Sequence, residues 1–352
     1  MTLFNEMKDF SKIKEEINGW TLKPIDKNKV SSMELIELAT GYAVEQFQWE
    51  SYYKFLTMTQ DKDIQKLFGK IAFQEEEHLS KIGSLADPSM TPMESSIALQ
   101  MTAIHGFSEA AQLEMNDILK DTYDYILLDH LTQMKSLSDS ASGMGSKGGI
   151  FETMMITLGA GTAAKTKAKP EDITKGTLQI MEGRPVEKQI IPMSAIFKQP
   201  LNKDTVDMAS FVNAHTLLAN EMQLRNEYQM FRRMIPSTDV RRLLNMGTAV
   251  ENIHIVMLES LMDPTTNHLE HAMIGELMEI KNHRQGMQFA KSDSARDAHE
   301  YALEEDKEHL DWLTDVYSAY GSAAKFKATD KLFAMPKLST SEYINQVAAA
   351  TA

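Results

Sequence analysis

Carboxylate and histidine side chains recur at a regular spacing in the second half of the chain. Four carboxylates follow one another at nearly even spacing, at positions 221, 251, 276 and 306, and two of them have a histidine three residues later. On a helix, an i, i+3 pair places both side chains on one face, so that a carboxylate and an imidazole can bind one metal ion. Two such pairs, with one carboxylate from each of two other helices, form the ligand set of a dinuclear iron or manganese site. The predicted ligands are Glu221, Glu251, His254, Glu276, Asp306 and His309, with Glu279 one turn beyond Glu276 as a further candidate.

The charge of these side chains favours a metal site over solvated acids. Buried carboxylates without a counter-charge would cost several kcal/mol each, and two divalent cations would cancel four of them. Glu251 and His254 lie among Val250, Ile253 and Ile255, which indicates a buried helix. The alternative is that the acids lie on solvated helix surfaces, where most glutamates are found.

Two sets of four helices would carry these residues. The apolar residues recur with a period close to 3.6 and strand patterns are scarce, which predicts an all-α fold. Asp61 and Ser237 occupy predicted N-cap positions, and an Asp-Pro pair ends the second helix of each set. The predicted helices span 31–59, 61–86, 92–120, 122–138, 205–234, 237–262, 267–291 and 295–320.

A repeat alignment relates the two sets. Positions 43 to 94 align without a gap with positions 219 to 270, and 14 of the 52 aligned pairs are identical, Glu45, Glu75 and His78 among them. We interpret this as an internal duplication of a four-helix unit, and predict two tandem bundles that form a pseudo-dimer. The predicted boundaries are a bundle over 31–138, a Gly- and Lys-rich connector over 139–203, a bundle over 204–321 and a C-terminal tail over 322–352.

The first predicted bundle carries only part of the ligand set. Gln100 stands where the second bundle has Glu276, and Leu127 stands three residues before His130, where a carboxylate is expected. A full dinuclear site, a mononuclear or vestigial site, and no metal at all stay open for this bundle, while the complete site is predicted in the second. The candidate ligands here are Glu45, Glu75, His78 and His130, with His105, Glu109 and Glu114 as sources of a displaced ligand.

The connector is too long for a simple linker, which predicts that it packs across the bundles or covers a site as a lid. A short helix is predicted over 150–163. The segment from Gly159 to Thr166 is one residue off a phosphate-binding loop, but no strand precedes it, so nucleotide binding is not expected.

The composition excludes several classes of site and partner. The absence of cysteine excludes disulfides, iron–sulfur clusters, thiolate zinc sites and catalytic thiols. A net charge of −14 argues against nucleic acid or an anionic membrane as a partner. The segment from Met1 to Lys29 lacks the apolar core of a secretory signal, and no apolar stretch is long enough to cross a membrane, so we expect a cytoplasmic protein.

Two segments resemble ligand helices of rubrerythrins. The segment EMQLRNEY, from Glu221 to Tyr228, is similar to their first ligand helix, and QEEEH, from Gln74 to His78, is similar to their second. The resemblance to the ferritin-like di-iron carboxylate superfamily covers both predicted four-helix units.

This resemblance assigns a role to each predicted ligand. Asp306 is shorter than the glutamate usual at its position, and Glu305 is the alternative ligand there. Tyr228, seven residues after Glu221, is the candidate catalytic residue, with Tyr52 at the equivalent position of the first bundle; a core tyrosine that only hydrogen-bonds a ligand is the other interpretation. The resemblance implies that Glu221 and Glu276 are terminal ligands and that Glu251 and Asp306 are bridging ligands. It also implies one imidazole for each metal, from His254 and His309.

The resemblance implies an oxidoreductase that activates O2 or peroxide on a small-molecule substrate with two iron ions, or manganese in their place. The sequence has no cysteine-rich electron-transfer module, so electrons would come from a separate donor. Iron oxidation and storage, or peroxide removal of the catalase type, is the first alternative, and a non-catalytic helical interaction protein is the second. Further assembly into a homo-oligomer stays open.

Overall fold

The computed structural model describes residues 17–143, 186–191, 198–319 and 325–351 of the chain. All regular secondary structure in these ranges is helical, which confirms the predicted all-α class. The helices are α1 (Ser32–Met58), α2 (Lys62–Ser84), α3 (Pro92–Leu113), α4 (Asp117–Gly143), α5 (Val186–Gln189), α6 (Met208–Met234), α7 (Thr238–Leu261), α8 (His268–Phe289), α9 (Asp293–Ser318) and α10 (Thr340–Thr351).

Side-chain caps fix where several of the long helices begin. Asp61 accepts hydrogen bonds from the first backbone N–H groups of α2, and Ser237 accepts one from the first turn of α7. Capping boxes begin α3 at Thr91 and α8 at Asn267. These side chains satisfy backbone donors that have no partner inside the helix. Both predicted N-caps are confirmed.

The boundary between α3 and α4 differs from the prediction. The helix predicted over 92–120 ends at Leu113, because polar side chains form a turn there. Oε1 of Glu114 accepts hydrogen bonds from the next two backbone N–H groups, at 2.9 and 2.8 Å. Oδ1 of Asn116 accepts two more from the first turn of α4, at 3.0 and 3.2 Å. Such local bonds compete with the helical pattern and start a new helix instead.

The described residues form two compact units, and each takes helices from both halves of the sequence. Unit 1 comprises Met1–Pro88 and Pro264–Phe333, and therefore contains α1, α2, α8 and α9. Unit 2 comprises Ser89–Asp263 and Ala334–Ala352, and therefore contains α3 to α7 and α10. The predicted tandem bundles over 31–138 and 204–321 are wrong.

Equivalent helix pairs explain this error. The pairs α1–α2 and α6–α7 have related sequences, with apolar and acidic residues at equivalent positions. From the sequence alone, either pair could therefore pack against α8 and α9. In the structure α1 and α2 pack with α8 and α9, whereas α6 and α7 pack with α3 and α4. A sequence repeat identifies equivalent helices, but it does not show which pairs share a core.

Aromatic side chains fill the interior of each unit. In unit 1, Tyr52 and Phe68 are fully buried, with ring centroids 5.6 Å apart. In unit 2, Phe107 and Tyr123 are fully buried, with ring centroids 6.0 Å apart. Rings of this size supply much of the apolar area that stabilises a bundle core.

The repeat alignment also relates contacts inside each unit. In unit 1 the backbone N–H of Lys27 donates to Oδ2 of Asp87 at 2.8 Å. In unit 2 the backbone N–H of Lys203 donates to Oδ2 of Asp263 at the same distance, 2.8 Å. In each unit the lysine precedes the first long helix of its set and the aspartate follows the second. The related segments therefore extend upstream to Lys27 and Lys203.

The connector and the tail are described in part. The predicted helix over 150–163, the phosphate-loop-like segment and most of the proposed lid lie outside the described residues. The predicted tail over 322–352 is divided between the units. Within unit 2, α10 contacts α3 through Thr340, whose Oγ1 lies 3.0 Å from Nδ1 of His105. Among the described residues, every helix is too short or too polar to cross a membrane.

Candidate metal centre

Six potential ligands converge inside unit 1, and four different helices supply them. Each side chain is at most 1 % exposed, so none of them is a solvated surface acid. The two i, i+3 pairs of α2 and α9 each direct a carboxylate and an imidazole to the same place, as their helical spacing predicts. The six residues are Glu45 on α1, Glu75 and His78 on α2, Glu276 on α8, and Asp306 and His309 on α9.

The six residues form two groups of four that share two members. One group consists of Glu45, Glu75, His78 and Asp306, and in the other Glu276 and His309 replace Glu45 and His78. Within each group the donor atoms lie within 4.8 Å of one another. Glu75 and Asp306 belong to both groups, so each carboxylate can offer one oxygen to each of two neighbouring cations.

The distances around Glu75 show this sharing directly. Its Oε2 lies 3.5 Å from Nδ1 of His78, and its Oε1 lies 3.0 Å from Nδ1 of His309. The two imidazole rings are stacked, with centroids 6.1 Å apart. Nδ1 of His78 is also 3.4 Å from Oε2 of Glu45 and 3.5 Å from Oδ1 of Asp306. Each histidine therefore faces a different oxygen of Glu75.

Side chains behind the ligands hold them in place. Oε2 of Glu305 lies 2.9 Å from Nε2 of His78, and Nε2 of Gln74 donates to Oε1 of Glu305 at 3.0 Å. The hydroxyl of Tyr52 donates to Oε1 of Glu276. A carboxylate on the outer nitrogen of a ligand histidine fixes its tautomer and leaves the inner lone pair free for a metal. Glu305 therefore orients His78, and Asp306, not Glu305, is a member of both four-donor groups.

A pair of histidines lies behind Glu45. Nε2 of His283 is 2.6 Å from Oε1 of Glu45, and Nδ1 of His283 is 3.0 Å from Nδ1 of His299. Burial lowers the pKa of both His283 and His299 to about 3, so both imidazoles are neutral. Gly286 makes room for the second ring, because a Cβ at this position would lie 2.5 Å from Nε2 of His299.

Burial opposes the ionised form of most carboxylates at this centre. It raises the pKa of Glu45 to about 8, although His78 favours the charged form. Burial and neighbouring carboxylates raise the pKa of Asp306 and of Glu279 well above the ordinary range. These shifts measure the cost of collecting negative charge in an apolar interior. A cation at the centre would offset that cost.

The two imidazoles and Glu75 respond in the opposite direction. Burial would lower the pKa of His309, but Glu276 and Glu75 outweigh it and raise this pKa to about 10. Burial would raise the pKa of Glu75, but the neighbouring imidazoles of His309 and His78 hold it below its ordinary value. In the metal-free protein, protonated histidines therefore take the place of cations beside Glu75.

The donor set fits metal ions because hydrogen bonds leave many of its buried atoms unsatisfied. Among the described residues, both carboxylate oxygens of Glu75, Glu279 and Asp306 lack a hydrogen bond of acceptable geometry. Both ring nitrogens of His309 and Nδ1 of His78 lack one as well. Buried polar atoms without partners are costly, and native proteins rarely keep them unless an ion or water occupies the site. Glu279, fully buried beside the other acids, is an additional potential ligand.

The predicted six-residue site is wrong, because its members are divided between the two units. Glu276, Asp306 and His309 lie in unit 1, as described above. In unit 2, Glu221, Glu251 and His254 form a group with His130, again with donor atoms within 4.8 Å of one another. The ligands named as less certain, Glu45, Glu75 and His78, take the places predicted for Glu221, Glu251 and His254.

Tyr228, predicted as catalytic, belongs to unit 2, whereas the two linked donor groups belong to unit 1. Its buried hydroxyl accepts a hydrogen bond from Nε2 of Gln100 at 2.6 Å. The equivalent residue of unit 1, Tyr52, is the tyrosine that contacts a candidate ligand. The other candidates of the first predicted bundle do not join the cluster: His105 contacts Glu109 at 3.3 Å, and Glu114 forms the turn before α4.

Sequence reasoning underrated several residues of the centre. Tyr52 is predicted above only as the equivalent of Tyr228, and His283, seven residues after Glu276, is not among the predicted ligands. Gln74 carried no signal of its own, because its role depends on α9 packing against α2. His299 was missed for the same reason.

Comparisons with protein-family models, with curated proteins and with solved structures return no match to this chain.

Proposed function

We propose that unit 1 holds a dinuclear metal centre of the ferritin-like di-iron type and that the protein is an oxidoreductase activating O2 or peroxide. The observation that carries this proposal is the pair of four-donor groups that share Glu75 and Asp306. A shared pair of carboxylates is the arrangement by which helical bundles hold two ions side by side. Glu45 and Glu276 would then be terminal ligands.

The chemistry of the donors favours iron or manganese. Four carboxylates and two imidazoles are hard-to-borderline ligands, and such sets suit iron and manganese better than soft thiophilic ions. The chain contains no cysteine, so no thiolate competes for the metal. Two divalent ions carry four positive charges, which balance Glu45, Glu75, Glu276 and Asp306.

The protein would bind, orient and shield the two ions. When both are bound in the ferrous state, they supply two electrons for the reduction of O2 or peroxide. Glu305 fixes the tautomer of His78, and Tyr52 holds one oxygen of Glu276, so that neither ligand rotates away. Buried Phe68, whose ring packs against Tyr52, excludes water from that side.

Unit 1 has an open groove of about 790 Å³ along α8 and α9. Its walls are mostly apolar, with Leu303 and Phe333 among them, and Arg284, Lys307 and Asp311 supply charged groups. None of the six candidate ligands is among its lining residues, so the small-molecule substrate is proposed from the chemistry of the centre and not from this groove. The chain contains no cysteine and so no thiolate-bound iron centre of its own, and we propose that a separate protein or small molecule reduces the metals.

Anaerobic loading with Fe(II), followed by O2 or H2O2, tests the proposal. We expect near-ultraviolet absorption from oxidised iron to appear after the oxidant is added, and Glu75→Gln to abolish it. Faster reaction with H2O2 than with O2 would identify peroxide as the oxidant. If iron binds but neither oxidant changes its absorption, the oxidoreductase proposal is wrong; if no iron binds, the metal centre is wrong as well.

We also propose that the chain arose by duplication of a four-helix unit. The 14 identities of the repeat alignment and the equivalent loop contacts in the two units support this origin.

A further inference from the structure

The buried group of unit 2 is equivalent, residue by residue, to one of the two groups of unit 1. The repeat alignment pairs Glu45, Glu75 and His78 with Glu221, Glu251 and His254. Continued at the same difference in residue number, it pairs Asp306 with His130. The residues obtained in this way are the four that the structure brings together in unit 2. One metal position of the pair is therefore preserved, with an imidazole in place of one carboxylate.

The other position of the pair has been replaced by amides. Glu276 and His309 correspond to Gln100 and Gln133, neither of which carries a charge. Nε2 of Gln100 donates to Oε1 of Gln133 at 3.0 Å and to the hydroxyl of Tyr228 at 2.6 Å. The two amide side chains are therefore hydrogen-bonded to each other. The second ion of a pair would have lost three of its four donors here, because the shared carboxylate Asp306 is replaced by an imidazole whose one lone pair serves the first position.

Hydrogen bonds to outer atoms leave one lone pair on each of the two imidazoles of this group, His130 and His254. The amide nitrogen of Gln100 donates to Gln133 and Tyr228, so the Oε1 of Gln100 is the atom that faces His130. This oxygen accepts a hydrogen bond from Nδ1–H of His130 at 3.0 Å. Nε2 of His130 then faces Oε1 of Glu221 at 2.6 Å. Two acceptors this close need a proton or a metal ion between them.

His254 is held in the same manner. Its Nε2 lies 3.2 Å from Oδ2 of Asp129, and its Nδ1 lies 2.9 Å from Oε2 of Glu251 and 3.2 Å from Oε2 of Glu221. Asp129 is the equivalent of Glu305, so a carboxylate lies behind His254 in unit 2 as one lies behind His78 in unit 1. Oε1 of Glu251, fully buried, has no hydrogen-bond partner among the described residues.

We infer that unit 2 binds a single divalent first-row transition metal through His130, Glu221, Glu251 and His254, as a third ion distinct from the pair in unit 1. Two carboxylates balance the charge of one such ion, and two carboxylates with two imidazoles are donors that first-row divalent ions accept in proteins.

Zinc content tests this inference, because Zn²⁺ binds such donors without redox reactions. The full-length chain is stripped with a chelator, incubated with excess Zn²⁺, desalted and analysed for zinc per chain. We expect three ions for the wild type and two for His130→Gln. His105→Gln, which changes a buried histidine of unit 2 outside the group, should keep the wild-type content. Should His130→Gln fail to fold, Glu251→Gln serves as the second variant, with the same expected loss of one ion.

Equal zinc content in the wild type and in the folded variant would overturn the inference and identify the group as an ion-pair network. The comparison concerns a difference of one ion, so it holds whatever unit 1 binds, and its failure is distinguishable from failure of the proposed function.

Discussion

His309 lies 3.0 Å from Glu75, between Nδ1 and Oε1, although the two residues belong to opposite ends of the sequence. This contact joins α2 to α9 at the metal centre and completes the second four-donor group of unit 1. It also places Glu75, and not its equivalent Glu251, where the two four-donor groups of unit 1 meet.

Glu75→Gln should remove both ions of unit 1, because Glu75 is a member of both four-donor groups. Glu251→Gln removes the equivalent oxygen in unit 2 and should leave the pair in unit 1 intact. Metal analysis after Fe(II) loading without oxygen measures the difference. The first variant should lose two ions per chain relative to the wild type, and the second no more than one. The reverse pattern would mean that the complete site has been assigned to the wrong unit.

Tyr52→Phe should weaken iron binding and slow the reaction with the oxidant, since it deletes the hydroxyl that donates to Glu276. Losing a group that orients a metal ligand commonly costs about 10–100-fold in affinity or activity. Tyr228→Phe is the matched control, because its hydroxyl contacts Gln100 in unit 2. Fe(II) titration and stopped-flow absorption would measure both quantities. Identical behaviour of the two variants would count against a role for Tyr52.

Glu305→Gln should lower metal affinity by about 10–100-fold, because the amide no longer fixes the tautomer of His78 as a carboxylate does. Glu304→Gln is the control: this neighbouring residue is mostly exposed and pairs only with Lys307 in the described contacts. Competition with a chromophoric chelator would give both affinities. Equal affinities for the two variants would show that Glu305 does not support the centre.

The metal-free protein should become less stable between pH 6.5 and pH 9. Burial raises the pKa of Glu45 to about 8, and carboxylates raise the pKa of His309 to about 10, so the folded state binds more protons than the unfolded state in this range. Stability from such groups is present at lower pH and is lost as pH rises through the folded pKa. The low pKa of His283 acts in the opposite direction only below its unfolded value of about 6.5.

Urea unfolding of chelator-treated protein at several pH values would measure this loss. Bound metal should reduce or reverse it, since ligands must lose their protons to bind. If the metal-free protein is as stable at pH 9 as at pH 6.5, the raised pKa of Glu45 and His309 is contradicted.

The sequence predicted the helical class, the N-caps at Asp61 and Ser237, and every ligand of the centre as a candidate. It could not predict which helices share a core, because α1–α2 and α6–α7 have related sequences and either pair could have packed against α8–α9. The site assigned to Glu221 and Glu251 was therefore wrong in its partners, although the residue types and spacing were correct. Contacts such as Gln74 with Glu305 depend on packing between distant segments, and no local pattern encodes them.

Anomalous X-ray diffraction from crystals soaked with Fe(II) or Mn(II) would test the central claim most directly, because it locates bound ions without reference to activity. We predict two peaks in unit 1, about 3.5–4 Å apart as in other two-metal sites, both flanked by Glu75 and Asp306. One peak should lie beside His78 and the other beside His309. Full metal occupancy elsewhere with no peak between Glu75 and Asp306 would contradict the account.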